Sequence, residues 1–235
     1  NMGIAESKIF YVGGLGASKI DKIKLLTKKQ IENRLNLKLK KRTILVCFHP
    51  VTLDNQMTKT YYLNLLKSLI KIDDINVIIT APNTDVNHNK IYALTKYFTE
   101  KYDNFYFYKS LGNELFYSLL NISEIIIGNS SSGILEAPSF NISIINIGDR
   151  QKGRIQSKNV INCKPIEIEI SKCIRKVFNN KKYYLQLNRL KNPYLKKGTE
   201  KNIIMILDNF FQNRYNKIKS TNSSKKKENY IITDE

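Results

Sequence analysis

A cluster of small hydroxyl residues near the middle of the chain has clear potential for chemistry. The segment IIIGNSSSGILEAP spans residues 125–138 and places Ser130, Ser131 and Gly133 where an apolar run gives way to a helix-like stretch. Backbone N–H groups in the first turn of a helix bind phosphate, and a glycine lets the anion approach closely. Helix capping is the alternative, but it accounts for one serine of the three. The segment therefore predicts a phosphate site.

Glu136 lies close to the start of the same predicted helix. The helix dipole favours a carboxylate there, which is again the simpler interpretation. A carboxylate beside a phosphate would repel the phosphate, however. The carboxylate of Glu136 fits better against a sugar diol, because its two oxygens can accept hydrogen bonds from the two hydroxyl groups. A phosphate on the helix start and a ribose on the carboxylate together describe a nucleotide. A P-loop is excluded because no lysine of the P-loop pattern follows the glycine.

Apolar runs alternate with helix-length amphipathic segments along most of the chain. Strands are predicted at residues 8–14, 42–49, 75–80, 104–110, 124–129 and 142–148. Helices are predicted at 57–71, 88–101, 112–121, 131–139, 166–179 and 199–212. Nearly continuous apolar strands with helical spacers indicate a doubly wound parallel α/β sheet with right-handed crossovers. We expect one Rossmann-like domain over 1–212 and a polar, disordered tail over 213–235.

Polar segments follow the predicted strands, and open parallel sheets bind ligands beyond that edge. His49 ends a buried strand just before Pro50, so its ring is expected to face the crevice. There a donating or cationic imidazole would stabilise charge on a departing diphosphate, whereas a packed strand-end histidine is the alternative. Arg150 and Arg154 lie in a loop after another strand and suit phosphate, unless they are merely solvated charges.

Composition favours a cytoplasmic protein without metal or membrane. The net charge is +19, but the lysines are scattered, so biased composition explains the charge better than nucleic-acid binding does. Cys47, Cys163 and Cys173 lie at no metal-ligand spacing, and His49 and His88 are too few for a zinc cluster. No apolar run reaches the roughly 18 residues of a membrane span, and no signal peptide is visible.

Three motifs in order carry a family resemblance. Residues 128–154 (GNSSSGILEAPSFNISIINIGDRQKGR), 48–52 (FHPVT) and 82–85 (PNTD) resemble the UDP-N-acetylglucosamine 2-epimerase family, and its hydrolysing branch in particular. The likeness extends over residues 8–212. The family has two Rossmann-like domains, as in glycosyltransferase-B enzymes, with the substrate in the cleft between them. The chain resembles the C-terminal, nucleotide-binding domain without its N-terminal partner.

The resemblance implies roles for the residues singled out above. Ser130 and Ser131 match diphosphate-binding serines, and Gly133 matches the close-approach glycine. Glu136 matches a ribose-binding glutamate. His49 matches a histidine near the diphosphate and the bond that breaks.

Further positions match the family less closely. Asn83 falls where the family has a polar residue of the uridine-diphosphate site, and Asp85 beside it is expected only to cap a turn. Phe116 falls near an aromatic that stacks on uracil, although core packing is the alternative for an aromatic at helical spacing. Arg150 and Arg154 match a basic loop that closes over the site.

The resemblance also implies an activity. The expected enzyme converts UDP-N-acetylglucosamine to N-acetylmannosamine and UDP, for sialic-acid-type sugars, by anti elimination through 2-acetamidoglucal and addition of water. It needs no metal or redox cofactor and is expected to be a homo-oligomer. The candidate carboxylates belong to the N-terminal domain, so the chain alone is expected to be inactive. The alternatives are a non-hydrolysing epimerase, a glycosyltransferase of the same architecture, and a non-catalytic UDP-binding module.

Overall fold

Six parallel strands form one sheet in the computed structural model, which describes residues 4–51, 57–83, 88–180 and 190–228. The strands are β1 Arg42–Cys47, β2 Ile75–Thr80, β3 Phe105–Tyr108, β4 Ile125–Gly128, β5 Ser143–Ile147 and β6 Val160–Cys163. Their spatial order is β3-β2-β1-β4-β5-β6, with parallel pairing throughout. The order reverses between β1 and β4, and this switch point is where open α/β sheets form their ligand crevice.

Helices cover both faces of the sheet. The α-helices are α1 Leu15–Ser18, α2 Lys28–Leu35, α3 Thr58–Leu69, α4 His88–Lys101, α5 Gly112–Ile122, α6 Ser132–Leu135, α7 Glu167–Asn179 and α8 Thr199–Glu228. Short 3-10 helices occupy Glu6–Lys8, Ile20–Lys22 and Ala137–Phe140. No helix of the described ranges is long and apolar enough to cross a membrane.

The apolar strands supply two cores because alternate residues point to opposite faces. In β1, Ile44 and Val46 pack with the buried face of α3, α4 and α7. Leu45 and Cys47 pack with α2, α5 and the 3-10 helix that follows α6. Strands buried on both faces read as continuous apolar runs, and the doubly wound α/β architecture is confirmed.

The predicted strand at residues 8–14 is wrong. The segment follows the 3-10 helix Glu6–Lys8 without pairing to the sheet, and the side chains of Ile9, Phe10 and Tyr11 are exposed. Its backbone is tied to the segment before α8: the Gly14 N–H donates to the carbonyl of Tyr194 at 2.8 Å, and the Tyr11 carbonyl accepts from Lys196 Nζ at 2.6 Å. An apolar run this short shows no clear periodicity, so it does not distinguish a strand from an irregular segment.

Strand β6 and the helical segments before residue 36 were not predicted. Strand β6 is short, and polar Asn162 interrupts its apolar pattern. Helix α2 begins with a capping box, in which Thr27 accepts from the Gln30 N–H and the Gln30 side chain accepts from the Thr27 N–H. The sequence TKKQ carried that signal, since serine or threonine followed three residues later by glutamate or glutamine is typical of a helix start.

Two predicted helices differ in extent. The helix expected over 131–139 is divided into α6 and a 3-10 helix, and Pro138 in the second segment lacks the N–H that a continuous α-helix requires. Helix α8 continues past residue 212 into the segment for which a disordered tail is predicted. That segment contains neither glycine nor proline, so its polar composition does not interrupt a helix. Residues 229–235 lie outside the described ranges.

Candidate functional site

The site is built where β1 and β4 end side by side. Gly128 pairs with Cys47 as the last rung between the two strands. Its φ is +145°, and a Cβ at this position would lie 2.0 Å from the carbonyl oxygen of Cys47. Glycine is therefore the residue that lets β4 turn sharply against β1 and deliver the next residues to the crevice.

Asn129 extends the pairing of the two strands with its side chain. Its Oδ1 accepts from the backbone N–H of His49 at 2.7 Å, and its Nδ2 donates to the carbonyl of His49 at 2.9 Å. The side chain is 1% exposed, so both bonds are shielded from water. The amide thus acts as one more rung of the sheet and fixes the backbone of His49. No role was predicted for Asn129, although its place directly after the strand-ending glycine was a signal in the sequence.

The imidazole of His49 is held at both ring nitrogens. The backbone N–H of Asn83 donates to Nδ1 at 3.0 Å, and Nε2 lies 3.1 Å from Ser130 Oγ. Because Nδ1 accepts, the proton of the neutral ring is on Nε2, which donates to the serine. Of the two options that the sequence left open, the geometry favours a neutral, donating imidazole over a cationic one.

The serine cluster is internally connected. Ser130 Oγ also accepts from Ser132 Oγ at 2.9 Å. The backbone N–H groups from Gly133 to Glu136 already donate to carbonyls of residues 130–132. Helix α6 has four residues, so its dipole is small. The capacity to bind an anion therefore rests on the hydroxyls and on main chain before the helix more than on a helix N-terminus.

A cleft of about 320 Å³ opens beside this cluster, within the size range of ligand sites. Four of the predicted site residues line it: His49, Asn83, Phe116 and Ser130. The segment between β3 and the start of α5 contributes Ser110, Leu111, Gly112 and Asn113, while Cys47, Thr80 and Ser132 complete the described lining. Phe116 also packs against the core, so both interpretations of this aromatic describe part of its surroundings.

The other predicted residues stand apart from the described lining of the cleft. Gly133 is buried on the sheet side of α6, with the methyl group Cγ2 of Ile144 3.4 Å from where its Cβ would be. Ser131 precedes α6 and is half-buried, and Arg154 is exposed in its loop. Thr52 of the FHPVT motif and Asp85 of PNTD lie outside the described residues.

The loop after β5 is tied to the centre of the site through Asn129. Arg150 Nη1 donates to the Asn129 carbonyl at 3.3 Å, and Gln151 Nε2 donates to the same oxygen at 2.8 Å. Gln151 is 2% exposed, so it anchors the loop from within. This places Arg150 beside Asn129, next to the serine that lines the cleft, while its role in closing over the site stays a prediction. Gln151 was not singled out from the sequence, where it looks like one more polar loop residue.

Glu136 lies behind the cleft, on the side of Ser132 and Cys47. Its carboxylate is half-buried, and burial raises the pKa of the carboxyl group above its ordinary value. It faces the backbone of Gly16, and its charge contributes to raising the pKa of the Tyr117 hydroxyl, for which burial is the larger cause. A half-buried carboxylate near a cleft is typical of functional positions.

Two other chemistries find little support in the described residues. Burial raises the pKa of the Cys47 thiol to about 11, so this cysteine at the cleft wall is protonated at neutral pH and a poor nucleophile. Within the described ranges, no three side chains of His, Cys, Asp or Glu gather as a metal site would require.

Fold and site together define a Rossmann-like α/β protein with a polar cleft at its topological switch point. The model of the family described as UDP-N-acetylglucosamine 2-epimerase matches residues 1–208. The chain belongs to the UDP-N-acetylglucosamine 2-epimerase family.

Two curated relatives are similar to large parts of the chain. The chain is 36% identical over 162 residues to the GDP/UDP-N,N'-diacetylbacillosamine 2-epimerase (hydrolyzing) of Campylobacter jejuni, covering 68% of this chain and 42% of the relative. It is 30% identical over 216 residues to the polysialic acid biosynthesis protein P7 of Escherichia coli, covering 91% of this chain and 54% of the relative. The chain therefore spans about half the length of the curated relatives it matches.

A solved structure agrees on the fold. The S. aureus MnaA structure with UDP superposes with a TM-score of 0.69 at 15% identity, covering 89% of this chain and 55% of that one. At this identity the likeness establishes the Rossmann-like fold of the glycosyltransferase-B type.

Proposed function

We propose that the chain is the nucleotide-binding half of a hydrolysing 2-epimerase that acts on a UDP-activated N-acetylated sugar. The observation that carries this is the hydrogen-bonded pair of His49 and Ser130 at the switch point, in a chain of this family. His49 and Ser130 bind the diphosphate, together with Arg150 from the loop after β5. The carboxylate of Glu136 accepts hydrogen bonds from the ribose diol.

The proposed reaction begins with anti elimination. A base outside the described site removes the proton at C2 of the sugar while the C1–oxygen bond breaks and its electron pair leaves with UDP. The Nε2–H of His49, which donates to Ser130 Oγ in the structure, is shared with the diphosphate once it is bound, and the hydroxyl of Ser130 donates to the diphosphate as well. Both hydrogen bonds strengthen as negative charge grows on the leaving group, which lowers the barrier. Water then adds to 2-acetamidoglucal, with OH at C1 and H at C2, and gives the inverted free sugar.

The proposed sugar has two candidates. UDP-N-acetylglucosamine is the substrate expected for the family, with N-acetylmannosamine as the product. UDP-N,N'-diacetylbacillosamine is the second candidate, because the Campylobacter jejuni relative is named for that sugar. A role in sialic-acid-type sugar biosynthesis belongs to the first candidate, and the name of the Escherichia coli relative supports it.

The proposed partner is a second Rossmann-like domain that closes the cleft and supplies acid and base. The curated relatives support it, because the match covers only 42% and 54% of their own length. So do exposed apolar side chains on α8, namely Ile204, Phe210 and Phe211, and in the N-terminal segment, namely Phe10 and Tyr11. Exposed apolar surface on a helix marks interaction sites. Assembly into a homo-oligomer stays part of the same proposal.

Calorimetry and a product assay test the proposal. UDP should bind the chain in isothermal titration, whereas UDP-sugar should not be turned over without the second domain. In an enzyme that contains both halves, release of UDP with a free 2-epimerised sugar supports the hydrolysing reaction. A reversible mixture of UDP-sugars would identify a non-hydrolysing epimerase, and transfer to an acceptor would identify a glycosyltransferase. No binding of UDP would refute the assignment of the cleft.

A further inference from the structure

The space beside Gly16 is filled by the carboxylate of Glu136, although 120 residues of sequence separate them. A Cβ added to Gly16 would lie 2.2 Å from Glu136 Oε1, 3.1 Å from Cδ and 3.2 Å from Cγ. The first distance is far inside van der Waals contact, and the other two are tighter than ordinary packing. Any other residue at position 16 would therefore collide with the carboxyl group of Glu136.

The backbone of Gly16 does not itself require glycine. The residue lies inside α1, and its φ is not among the positive values found at six other glycines. Alanine adopts a helical backbone at least as readily as glycine does, so the local conformation does not select glycine here. The reason for glycine at position 16 is the volume that Glu136 occupies.

Hydrogen bonds hold the backbone of Gly16 and the backbone of Glu136 in place. The carbonyl of Gly16 accepts from the Tyr117 hydroxyl at 3.4 Å and from the Lys19 N–H at 3.3 Å. On the other side of the contact, the N–H of Glu136 donates to the Ser132 carbonyl at 3.1 Å. A methyl group at position 16 would therefore be accommodated by rotating the Glu136 side chain away, since the carboxylate is the flexible partner of the contact.

We propose that Gly16 is a positioning residue for Glu136, and that it thereby sets the preference of the site for a nucleoside diphosphate over a bare diphosphate. The preference rests on the proposed function, in which Glu136 accepts the two hydroxyl groups of the ribose. The positioning itself rests on the contact. Gly16 thus belongs to the nucleotide site although it is remote from it in sequence and lines no part of the described cleft.

Isothermal titration of the 235-residue chain with UDP and with pyrophosphate tests the preference. Gly16→Ala should weaken UDP about tenfold or more, the loss expected when hydrogen bonds to a charged group are displaced, and leave pyrophosphate nearly unchanged. Gly14→Ala is the matched control from the same segment, because its Cβ would lie 3.4 Å from the nearest atom, the Cβ of Tyr194. Equal effects of the two alanines, or equal losses for both ligands, would overturn the proposal.

The Glu136→Ala background separates positioning from general damage to the fold. If Gly16 acts through the carboxylate, adding Gly16→Ala to Glu136→Ala should cost no further UDP affinity, because the space is then empty. A further loss of similar size in the double variant would show that Gly16 acts by another route, and would overturn the proposal.

A titration of the Glu136 carboxyl carbon by NMR decides the positioning without any nucleotide. Burial raises the pKa of this carboxyl group, so Gly16→Ala should return the pKa toward its ordinary value, while Gly14→Ala should leave it raised. An unchanged pKa in Gly16→Ala would overturn the positioning. Failure of the parent chain to bind UDP, with the expected change in pKa, would instead overturn the proposed function and with it the nucleotide preference.

Discussion

Two parts of the candidate site hold their key side chains by different means. His49 is fixed by hydrogen bonds at its backbone and at both ring nitrogens, through Asn129, Asn83 and Ser130. Glu136 is placed by fit instead: its carboxylate occupies the volume that Gly16 leaves open. The hydrogen bonds around His49 fix both the position and the orientation of its ring. The fit against Gly16 fixes only the position of the Glu136 carboxylate.

The difference suits the two tasks proposed for these residues. Stabilising charge on a leaving diphosphate requires a donor aimed in advance at a defined point, and hydrogen bonds around the imidazole supply that aim. Accepting two hydroxyl groups of a ribose requires a carboxylate at the right depth, with some freedom to turn. Removing a hydrogen-bond partner should therefore disturb the placement of His49. Adding side-chain volume at position 16 should disturb the placement of Glu136.

The largest effect is expected at His49 itself. In an active enzyme that contains this chain, His49→Ala should lower kcat about 10²–10³-fold, the usual loss when a donor to developing charge is removed. The substrate KM should change less, since the benefit belongs to the transition state. His49→Gln, which keeps a donor, should fall between.

Steady-state kinetics corrected for folded protein measures the His49 effect. A packed strand-end histidine would instead lose thermal stability with nearly normal kcat in the folded fraction. A large rise in KM at unchanged kcat would mean that His49 only binds substrate.

Asn129→Ala should give the next largest loss, in the free energy of unfolding. The substitution leaves the buried N–H and carbonyl of His49 without their side-chain partners, and each orphaned group costs about 1–3 kcal/mol. Denaturant unfolding should show a total loss of about 2–6 kcal/mol. Asn33→Ala is the control, because Asn33 is an exposed asparagine on α2 and should change stability by less than about 0.5 kcal/mol. Similar small losses in both variants would contradict the role of Asn129.

The sequence was informative where function and local pattern coincide. Apolar runs that are followed by polar segments predicted five of the six strands. They thereby also predicted the crevice that holds His49 and Ser130. The pairing of Gly16 with Glu136 joins two distant segments, and no periodicity in either one predicts it. Asn129 and Gln151 were missed because their importance depends on which carbonyl and N–H groups the fold leaves buried beside them. Contacts of this kind join residues that are distant in sequence. They depend on the complete fold, so no local sequence pattern predicts them.

Glu136→Ala should have a more selective effect than either change in the His49 region. It removes the proposed ribose contact but leaves the serine cluster in place, so UDP should weaken by about tenfold or more while pyrophosphate changes little. Calorimetry on the same chain with both ligands measures the ratio. Ser130→Ala is the counterpart, since it should weaken both ligands together. Equal losses for UDP and pyrophosphate in Glu136→Ala would remove the ribose assignment.

The smallest effect is expected in the pH dependence of stability, where the Glu136 region should differ from an ordinary surface carboxylate. Burial raises the pKa of Glu136 in the folded state, so the folded chain binds this proton more tightly than the unfolded chain does. The ionised carboxylate therefore lowers stability above its folded pKa, and the penalty disappears as the pH falls through the folded pKa to the ordinary value. Glu136→Gln should accordingly be more stable than the parent chain at neutral pH, and the difference should vanish in acid.

Glu200 provides the opposite case for this last comparison. Its backbone N–H and the ammonium group of Lys22 hold the pKa of the Glu200 carboxyl below its ordinary value. The ionised form of Glu200 thus stabilises the fold at neutral pH, and that contribution is lost as the pH falls through its lowered pKa. Glu200→Gln should be slightly less stable than the parent chain at neutral pH, so thermal melting across pH should move the two variants in opposite directions. A destabilised Glu136→Gln at neutral pH would mean that the carboxylate is held by favourable interactions, and the contrast between a site fixed by bonds and a site fixed by space would fail.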